Sequence, residues 1–269
     1  MLVLLAISCG WVCPALAEAW PGKVSEWKGH PRYDFEVDGR PCFVVVPKQP
    51  AEGKPWVWRA RFPAFHAEAD ELLVERGFHI AHMDTNGMLG SPAALAHWDA
   101  FYDELTGKHG LAKKVALEAV SRGGLFAYRW ASRHPDRIAC IYADTPVCDF
   151  KSWPLGQGTG VGSAGTWANL LKEYGFTEEK ALAYRENPID VLAPIAAAKI
   201  PALHIVSLND RVVPPKENTF LLAERYRALG GSIEVMEVAE GTEKSQGHHF
   251  THPDPKRVAD FIQKWAGAD

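Results

Sequence analysis

Short apolar runs alternate with stretches of helical periodicity from about residue 42 onward, and this alternation constrains the fold more than any other feature. The predicted strands are Cys42–Pro47, Trp56–Ala60, Phe78–Met83, Val115–Val120, Arg137–Ala143, Ala202–Ser207 and Ile233–Val238. The predicted helices are Glu68–Arg76, Ser91–Lys108, Leu125–His134, Pro215–Leu229 and Asp254–Ala266. Strands that alternate with helices predict an α/β fold, with a mostly parallel central sheet covered by helices on both faces.

Composition narrows the class of protein. The 269 residues are 47% hydrophobic and 23% charged, which is ordinary for a globular chain. The net charge of −4 comes without a basic stripe, so we expect no nucleic-acid partner. No apolar run approaches the roughly 18 residues that a membrane span needs. We expect a single domain over residues 18–269.

The N-terminus has the features of an export signal. Met1–Ser8 is a short apolar block, and Ala15-Leu16-Ala17 is an A-x-A cleavage pattern before Glu18. Residues 1–17 are therefore interpreted as a signal peptide, although the usual basic n-region is missing. A ragged, uncleaved terminus is the alternative. The expected location is secreted or periplasmic.

Five cysteines are present, and cleavage would leave Cys42, Cys140 and Cys148. An odd number excludes complete pairing within the chain. A Cys140–Cys148 disulfide and buried free thiols both stay open, since sequence alone does not decide between them. No C-x-x-C or Cys/His spacing indicates zinc.

The stretch Ala119-Val120-Ser121-Arg122-Gly123-Gly124 connects a predicted strand to a predicted helix. It resembles the nucleophile elbow G-x-S-x-G, with Ala119 in place of the first glycine. The sharp turn strains the serine and brings neighbouring backbone close, so small residues are needed on either side. The alternative is that Ser121 caps the helix.

On this motif and its context the chain resembles the α/β-hydrolase superfamily from about Phe43 to Trp265. The resemblance implies the α/β-hydrolase fold, a cap insertion at about 149–200, and catalytic residues in the order serine, acid, histidine. The stretch Leu117–Trp153 is similar to secreted serine esterases of environmental bacteria, some of which accompany polysaccharide-degrading enzymes. A carbohydrate esterase is the more specific expectation from this analogy.

Asp210 is the best match to the family's acid, because it lies in the turn after the late strand Ala202–Ser207 and precedes Val-Pro and a helix. A simple turn aspartate is the alternative. Asp144, which follows the strand after the nucleophile helix, is a rival acid. Asp84 ends an earlier strand and is assigned to the substrate pocket.

The base is expected after the last strand, where a polar loop leads into Gly247-His248-His249. His248 matches the family's histidine loop best because it directly follows Gly247, and His249 is the alternative. His252 is expected to face solvent or cap the final helix. No acidic cluster accompanies these histidines, so we expect no metal.

An oxyanion hole needs backbone N–H donors that already point at the developing charge. Arg122, directly after the nucleophile, should supply one, and Arg61 or Phe62 in the loop after the early strand should supply the other. Phe62 and Trp153 are further pocket candidates. Trp98 and Trp167 could also line a pocket, but ordinary packing is the favoured interpretation.

These residue types suit nucleophilic catalysis, because a serine hydroxyl needs a general base and the base needs an orienting carboxylate. The sequence therefore predicts a cofactor-free hydrolase that cleaves carboxylic esters of small molecules or glycans through an acyl-enzyme. A peptidase or amidase with the same residues is one alternative. A non-catalytic glycan-binding module is another.

Overall fold

A nine-stranded mixed sheet organises the computed structural model, which describes residues 19–267. Its strands are β1 (Lys23–Trp27), β2 (His30–Val37), β3 (Arg40–Val45), β4 (Trp56–Arg59), β5 (His79–Met83), β6 (Val115–Val120), β7 (Ile138–Asp144), β8 (Ala202–Ser207) and β9 (Ile233–Val238). The strand order across the sheet is β1-β2-β3-β5-β4-β6-β7-β8-β9. Strands β4 to β9 pair in parallel, while β1, β2 and β3 form an antiparallel edge. The predicted, mostly parallel sheet is thus confirmed.

Eight α-helices accompany these strands in the described residues. They are α1 (Glu68–Glu75), α2 (Pro92–Asp103), α3 (Gly124–Arg133), α4 (Ala164–Tyr174), α5 (Glu178–Ala183), α6 (Ala193–Ala197), α7 (Thr219–Ala228) and α8 (Pro255–Ala266). Apolar side chains of α1 and α8 pack on one face of the sheet, and those of α2, α3 and α7 pack on the other. Helices on both faces bury β6 and β7 completely, which explains why these two strands are apolar runs rather than alternating ones.

Two predicted helices are shorter in the structure. The helix predicted over 91–108 begins as expected, with the Ser91 hydroxyl capping Ala94 N at 3.2 Å and Pro92 in the first turn. Its α-helical part ends at Asp103, and one π-helical turn, Glu104–Lys108, completes the segment. The helix predicted from Pro215 starts at Thr219.

The hairpin formed by β1 and β2 was not predicted. Strand β1 lies at the edge of the sheet and is largely exposed, and β2 alternates charged and aromatic residues. An edge strand buries little apolar surface, so it lacks the apolar run by which the inner strands were recognised.

The connection between β7 and β8, where a cap is expected at about 149–200, carries α4, α5 and α6. The proposed signal peptide, residues 1–17, lies outside the described residues. Within 19–267 no helix has the length and apolar character needed to cross a bilayer.

Cys42, Cys140 and Cys148 are free and buried, so no Cys140–Cys148 disulfide is present.

Candidate active site

Ser121 occupies a sharp turn between β6 and α3. Strand β6 ends at Val120, a 3₁₀ turn covers Ser121–Gly123, and α3 begins at Gly124. Ser121 has φ of +51°, a left-handed conformation that costs a non-glycine residue on the order of 1 kcal/mol. Its carbonyl accepts a hydrogen bond from Val147 N at 2.9 Å, which helps to hold this conformation. The strained turn at the carboxyl end of a buried strand matches the elbow expected from the sequence.

A continuous series of hydrogen bonds joins Ser121 to a histidine and a carboxylate. His248 Nε2 lies 3.0 Å from Ser121 Oγ, and His248 Nδ1 lies 2.7 Å from Asp210 Oδ2. The other Asp210 oxygen, Oδ1, accepts the N–H groups of Val212 and Val213 at 2.8 and 2.9 Å. Backbone donors therefore fix the carboxylate, which in turn orients the imidazole toward the serine.

The structure distinguishes the two adjacent histidines. His248 is buried, whereas His249 is exposed at the cavity mouth, with its ring centroid 5.4 Å from that of His248. Burial and the neighbouring His248 and His66 lower the pKa of His249. His252 does not face solvent: it is buried, 2.9 Å from the Tyr142 hydroxyl, and its Nδ1 accepts from the N–H of Asp254, the residue that caps α8.

Asp144, the rival acid, pairs with a different histidine. Its Oδ2 lies 2.5 Å from His66 Nδ1, and His66 Nε2 lies 2.7 Å from the Phe250 carbonyl. Asp144 is fully buried and is paired with His66, so it is not the carboxylate that orients His248. His66 was missed by sequence reasoning, because a single histidine in a loop carries no recognisable spacing.

The loop after β4 approaches Ser121 closely. A Cβ added to Gly123 would lie 3.3 Å from both Ala60 Cβ and Arg61 Cβ, and 3.6 Å from Arg61 N. The backbone N–H groups of Arg61 and Phe62 donate to no acceptor within residues 19–267. Both candidates for the second donor of the oxyanion hole are therefore free for a ligand, and glycine at 123 makes the approach possible.

Arg59 holds this loop in place. Its Nη2 donates to the carbonyls of Phe62 at 3.1 Å and Phe65 at 2.5 Å. Its Nη1 contacts Asp70 and donates to Glu118 at 2.9 Å, and all three side chains are fully buried. Burial raises the pKa of Glu118 well above its usual range. The loop carbonyls are thus tied to a buried cation, beneath the candidate site.

A cavity of about 330 Å³ opens above Ser121. Its walls are formed by Phe62, Phe65, Val120, Ser121, Arg122, Thr145, Trp153, Val212, His248 and His249. Phe62 and Trp153 lie where the sequence analysis placed them, whereas Asp84 is not part of the wall. Trp98 and Trp167 are core residues, stacking on Trp58 and packing beside Phe150 respectively.

A larger groove of about 540 Å³ lies elsewhere, between the β1–β2 hairpin, α1 and the start of α8. Its walls include Trp27, Glu71 and Glu75 but no serine or cysteine, so it offers no nucleophile. In residues 19–267 no group of three or more histidine, cysteine or acidic side chains is arranged to hold a metal ion.

Comparison with known proteins identifies structures with a similar fold. No protein-family model and no curated protein sequence matches the chain. Among solved structures, Pyrococcus horikoshii acylaminoacyl peptidase superposes with a TM-score of 0.64 at 14% identity, over 88% of this chain and 42% of that one. A Mycobacterium tuberculosis puromycin-hydrolyzing peptidase gives a TM-score of 0.67 at 16% identity, over 88% of this chain and 40% of that one.

The chain thus spans about two fifths of the length of these peptidases. It matches Mycobacterium tuberculosis MPT51 over nearly that protein's whole length, with a TM-score of 0.64 at 14% identity, covering 88% of this chain and 99% of the other. Identities this low establish the fold alone. Together with the parallel sheet, its covering helices and the strained turn at Ser121, they show that the chain has the α/β-hydrolase fold.

Proposed function

We propose that this protein is a serine hydrolase that cleaves carboxylic esters, with Ser121 as nucleophile, His248 as general base and Asp210 as the orienting acid. One observation carries the proposal: His248 bridges Ser121 Oγ at 3.0 Å and Asp210 Oδ2 at 2.7 Å. Both distances lie within hydrogen-bond reach, which is the geometric requirement for an activated serine. The cavity above Ser121 gives an ester access to the hydroxyl.

In the first half of the reaction, Ser121 Oγ attacks the ester carbonyl carbon while its proton passes to His248 Nε2. Asp210 accepts the His248 Nδ1–H, which keeps Nε2 unprotonated before attack and stabilises the imidazolium afterwards. The tetrahedral intermediate then collapses, and His248 returns the proton to the departing alcohol. An acyl group remains on Ser121.

The carbonyl oxygen becomes negative during attack and needs N–H donors. Arg122 N, directly after the nucleophile, is proposed as one donor, and Arg61 N or Phe62 N as the other. Preorganised donors of this kind typically contribute about 10²–10³-fold each to the rate. Arg59 supports this role, because it holds the carbonyls of the donor loop.

The second half of the reaction releases the acid. His248 takes a proton from water, the resulting oxygen nucleophile attacks the acyl carbonyl, and the proton returns to Ser121 Oγ as the acyl-enzyme breaks. No cofactor is needed for any of these transfers. An acylated sugar is a proposed substrate, in keeping with the secreted esterases that the sequence resembles.

A peptidase is the second candidate, because two of the solved structures that superpose on the chain are peptidases by title. The same residues can attack an amide.

The test compares p-nitrophenyl acetate with p-nitroacetanilide, using the wild type and Ser121→Ala. Ester turnover that falls at least about 10³-fold in the variant, without anilide turnover, is the expected result. Equal ester rates in wild type and variant would remove Ser121 as nucleophile. Anilide turnover comparable to ester turnover would favour the peptidase.

A further inference from the structure

Two arginine side chains lie beside Phe62, a residue of the cavity wall at Ser121. Arg122 lines the cavity above Ser121, and its guanidinium carbon is 4.9 Å from the centre of the Trp153 ring. The same carbon is 5.6 Å from the centre of the Phe62 ring, and that of Arg61 is 4.4 Å from it. Two cations therefore share one aromatic ring at the wall of the cavity.

Neither cation has an anionic partner among the residues that the structure describes. Other arginines of this chain form ion pairs, such as Arg129 with Glu186 and Arg225 with Asp190. Across residues 19–267, Arg61 and Arg122 make no side-chain hydrogen bond or ion pair, and the Nε of each is buried without an acceptor. A buried polar group without a partner is costly, so a site of this kind is expected to be completed by a ligand.

The neighbouring carboxylates do not neutralise both charges. Asp210 is bound to His248, and Asp144 is bound to His66. The charge of Asp84 partly opposes the lowering of the Arg61 pKa, but Asp84 is exposed and forms no ion pair with Arg61. Burial lowers the pKa of both Arg61 and Arg122, and their mutual repulsion adds to the effect on Arg61. Neither Asp210 nor Asp144 is therefore available to pair with Arg61 or Arg122.

We infer that the ester hydrolysed at Ser121 carries a carboxylate, which Arg61 and Arg122 bind while the ester carbonyl lies against Ser121. This inference rests on the proposed function and deepens it. A guanidinium presents parallel N–H donors that match a carboxylate, and within residues 19–267 the terminal nitrogens of both arginines have no acceptor. Phe62 and Trp153 hold the guanidinium planes by cation–π contact, so the donors are partly ordered before binding.

The experiment uses two pairs of esters, each matched in shape. The acyl-side pair is mono-p-nitrophenyl adipate and neutral p-nitrophenyl 6-methylheptanoate. The alcohol-side pair is 4-acetoxybenzoate and its neutral methyl ester. We expect wild-type kcat/KM to favour the charged member of one pair by roughly tenfold or more, as for a hydrogen bond to a charged group. The pair that shows the preference identifies the side of the ester that bears the carboxylate.

The variants are Arg122→Gln, Arg61→Gln and the double variant. Each retains the backbone N–H groups proposed for the oxyanion hole, so the effect of the lost side chain is measured as the ratio of kcat/KM for the charged ester to that for the neutral ester. The ratio should fall in each single variant and approach one in the double variant. Arg257→Gln is the matched control: Arg257 lies on α8 in an exposed ion pair with Glu234, so the variant removes the same charge and should keep the wild-type ratio. In the wild type, added salt should slow the charged ester more than the neutral one.

The outcomes separate the two proposals. If no ester of either pair is hydrolysed, the proposed function is wrong. If neutral esters turn over and neither charged ester is preferred, or salt affects both members of a pair equally, ester hydrolysis stands and the carboxylate site is wrong. A preference that survives in the folded double variant would also overturn the assignment to these two arginines.

Discussion

His66 Nδ1 lies 2.5 Å from Asp144 Oδ2, and its Nε2 lies 2.7 Å from the carbonyl oxygen of Phe250. Both partners are acceptors, so both ring nitrogens donate and the imidazole is protonated. Burial alone would lower the pKa of His66, but the hydrogen bond and charge of Asp144 outweigh it and raise that pKa. One imidazolium thus joins the loop after β4, the end of β7 and the segment that follows His248.

Replacing His66 by glutamine should destabilise the protein by about 3 kcal/mol, because it leaves the buried Asp144 without its cation. The His66 pKa is raised by folding, so its contribution is fully present below the ordinary histidine pKa of about 6.5. It is lost as the pH rises through the raised value. Urea denaturation of wild type and variant across this range measures the difference.

His97→Gln is the control for this prediction. His97 pairs with Asp38 at 2.6 Å, but that carboxylate is half exposed, so little stability should be lost. A difference between wild type and His66→Gln that grows as the pH rises would contradict the assigned charge state.

The two acids should behave differently when changed to asparagine. Asp210→Asn should fold normally and lower kcat for p-nitrophenyl acetate by roughly 10³–10⁴-fold, because the imidazole loses its correct tautomer. Asp144→Asn should lower the unfolding midpoint and affect kcat far less. Kinetics and thermal denaturation of both variants make the comparison. A larger loss of kcat in Asp144→Asn would exchange the roles of the two acids.

Gly123→Ala should impair turnover by displacing the donor loop. The added methyl would lie 3.3 Å from Ala60 Cβ and Arg61 Cβ, so the loop must shift by a few tenths of an ångström. We expect kcat to fall roughly tenfold, as geometry-dependent stabilisation of the oxyanion weakens.

The matched control for Gly123 is Gly165→Ala in α4, where an added methyl meets nothing within 4 Å. It should leave kcat unchanged and raise stability by up to about 1 kcal/mol, since alanine favours helix. Equal kcat in Gly123→Ala and wild type would mean that the loop after β4 does not supply the second donor.

The three cysteines of the described chain should resist alkylation in the folded state. Burial raises the pKa of Cys42 to about 12, and it also raises those of Cys140 and Cys148. Because the thiolate is the reactive form, iodoacetamide at pH 8 should modify their peptides only after denaturation. Mass spectrometry of tryptic peptides measures this, and rapid native modification of Cys140 would contradict its burial.

The inner part of the fold could be predicted because the buried strands are short apolar runs. Val115–Val120, Ala202–Ser207 and Ile233–Val238 have the predicted bounds. The β1–β2 hairpin could not be predicted in this way, since its exposed edge carries little apolar signal. The π-helical turn at Glu104–Lys108 also escaped, because its side-chain periodicity differs little from that of an α-helix.

For the candidate site, the catalytic residues and their order along the chain could be predicted from the sequence, but the orientation of their side chains could not. Ser121, Asp210 and His248 could be nominated because each follows a strand, and parallel strands end at one edge of the sheet. His66 and Arg59 could not be nominated in this way, because their partners are distant in sequence. His66 pairs with Asp144, and Arg59 donates to Glu118. Such contacts depend on packing, which no local pattern encodes.

The central claim is that His248 activates Ser121. Intact-mass measurement after brief exposure to a fluorophosphonate probe tests it most directly, because the probe reacts with an activated serine and needs no knowledge of the substrate. We expect one adduct, mapped to Ser121 in the wild type, strongly slowed in His248→Ala and absent in Ser121→Ala. A folded wild type that stays unmodified, or that is modified equally fast without His248, would contradict this account.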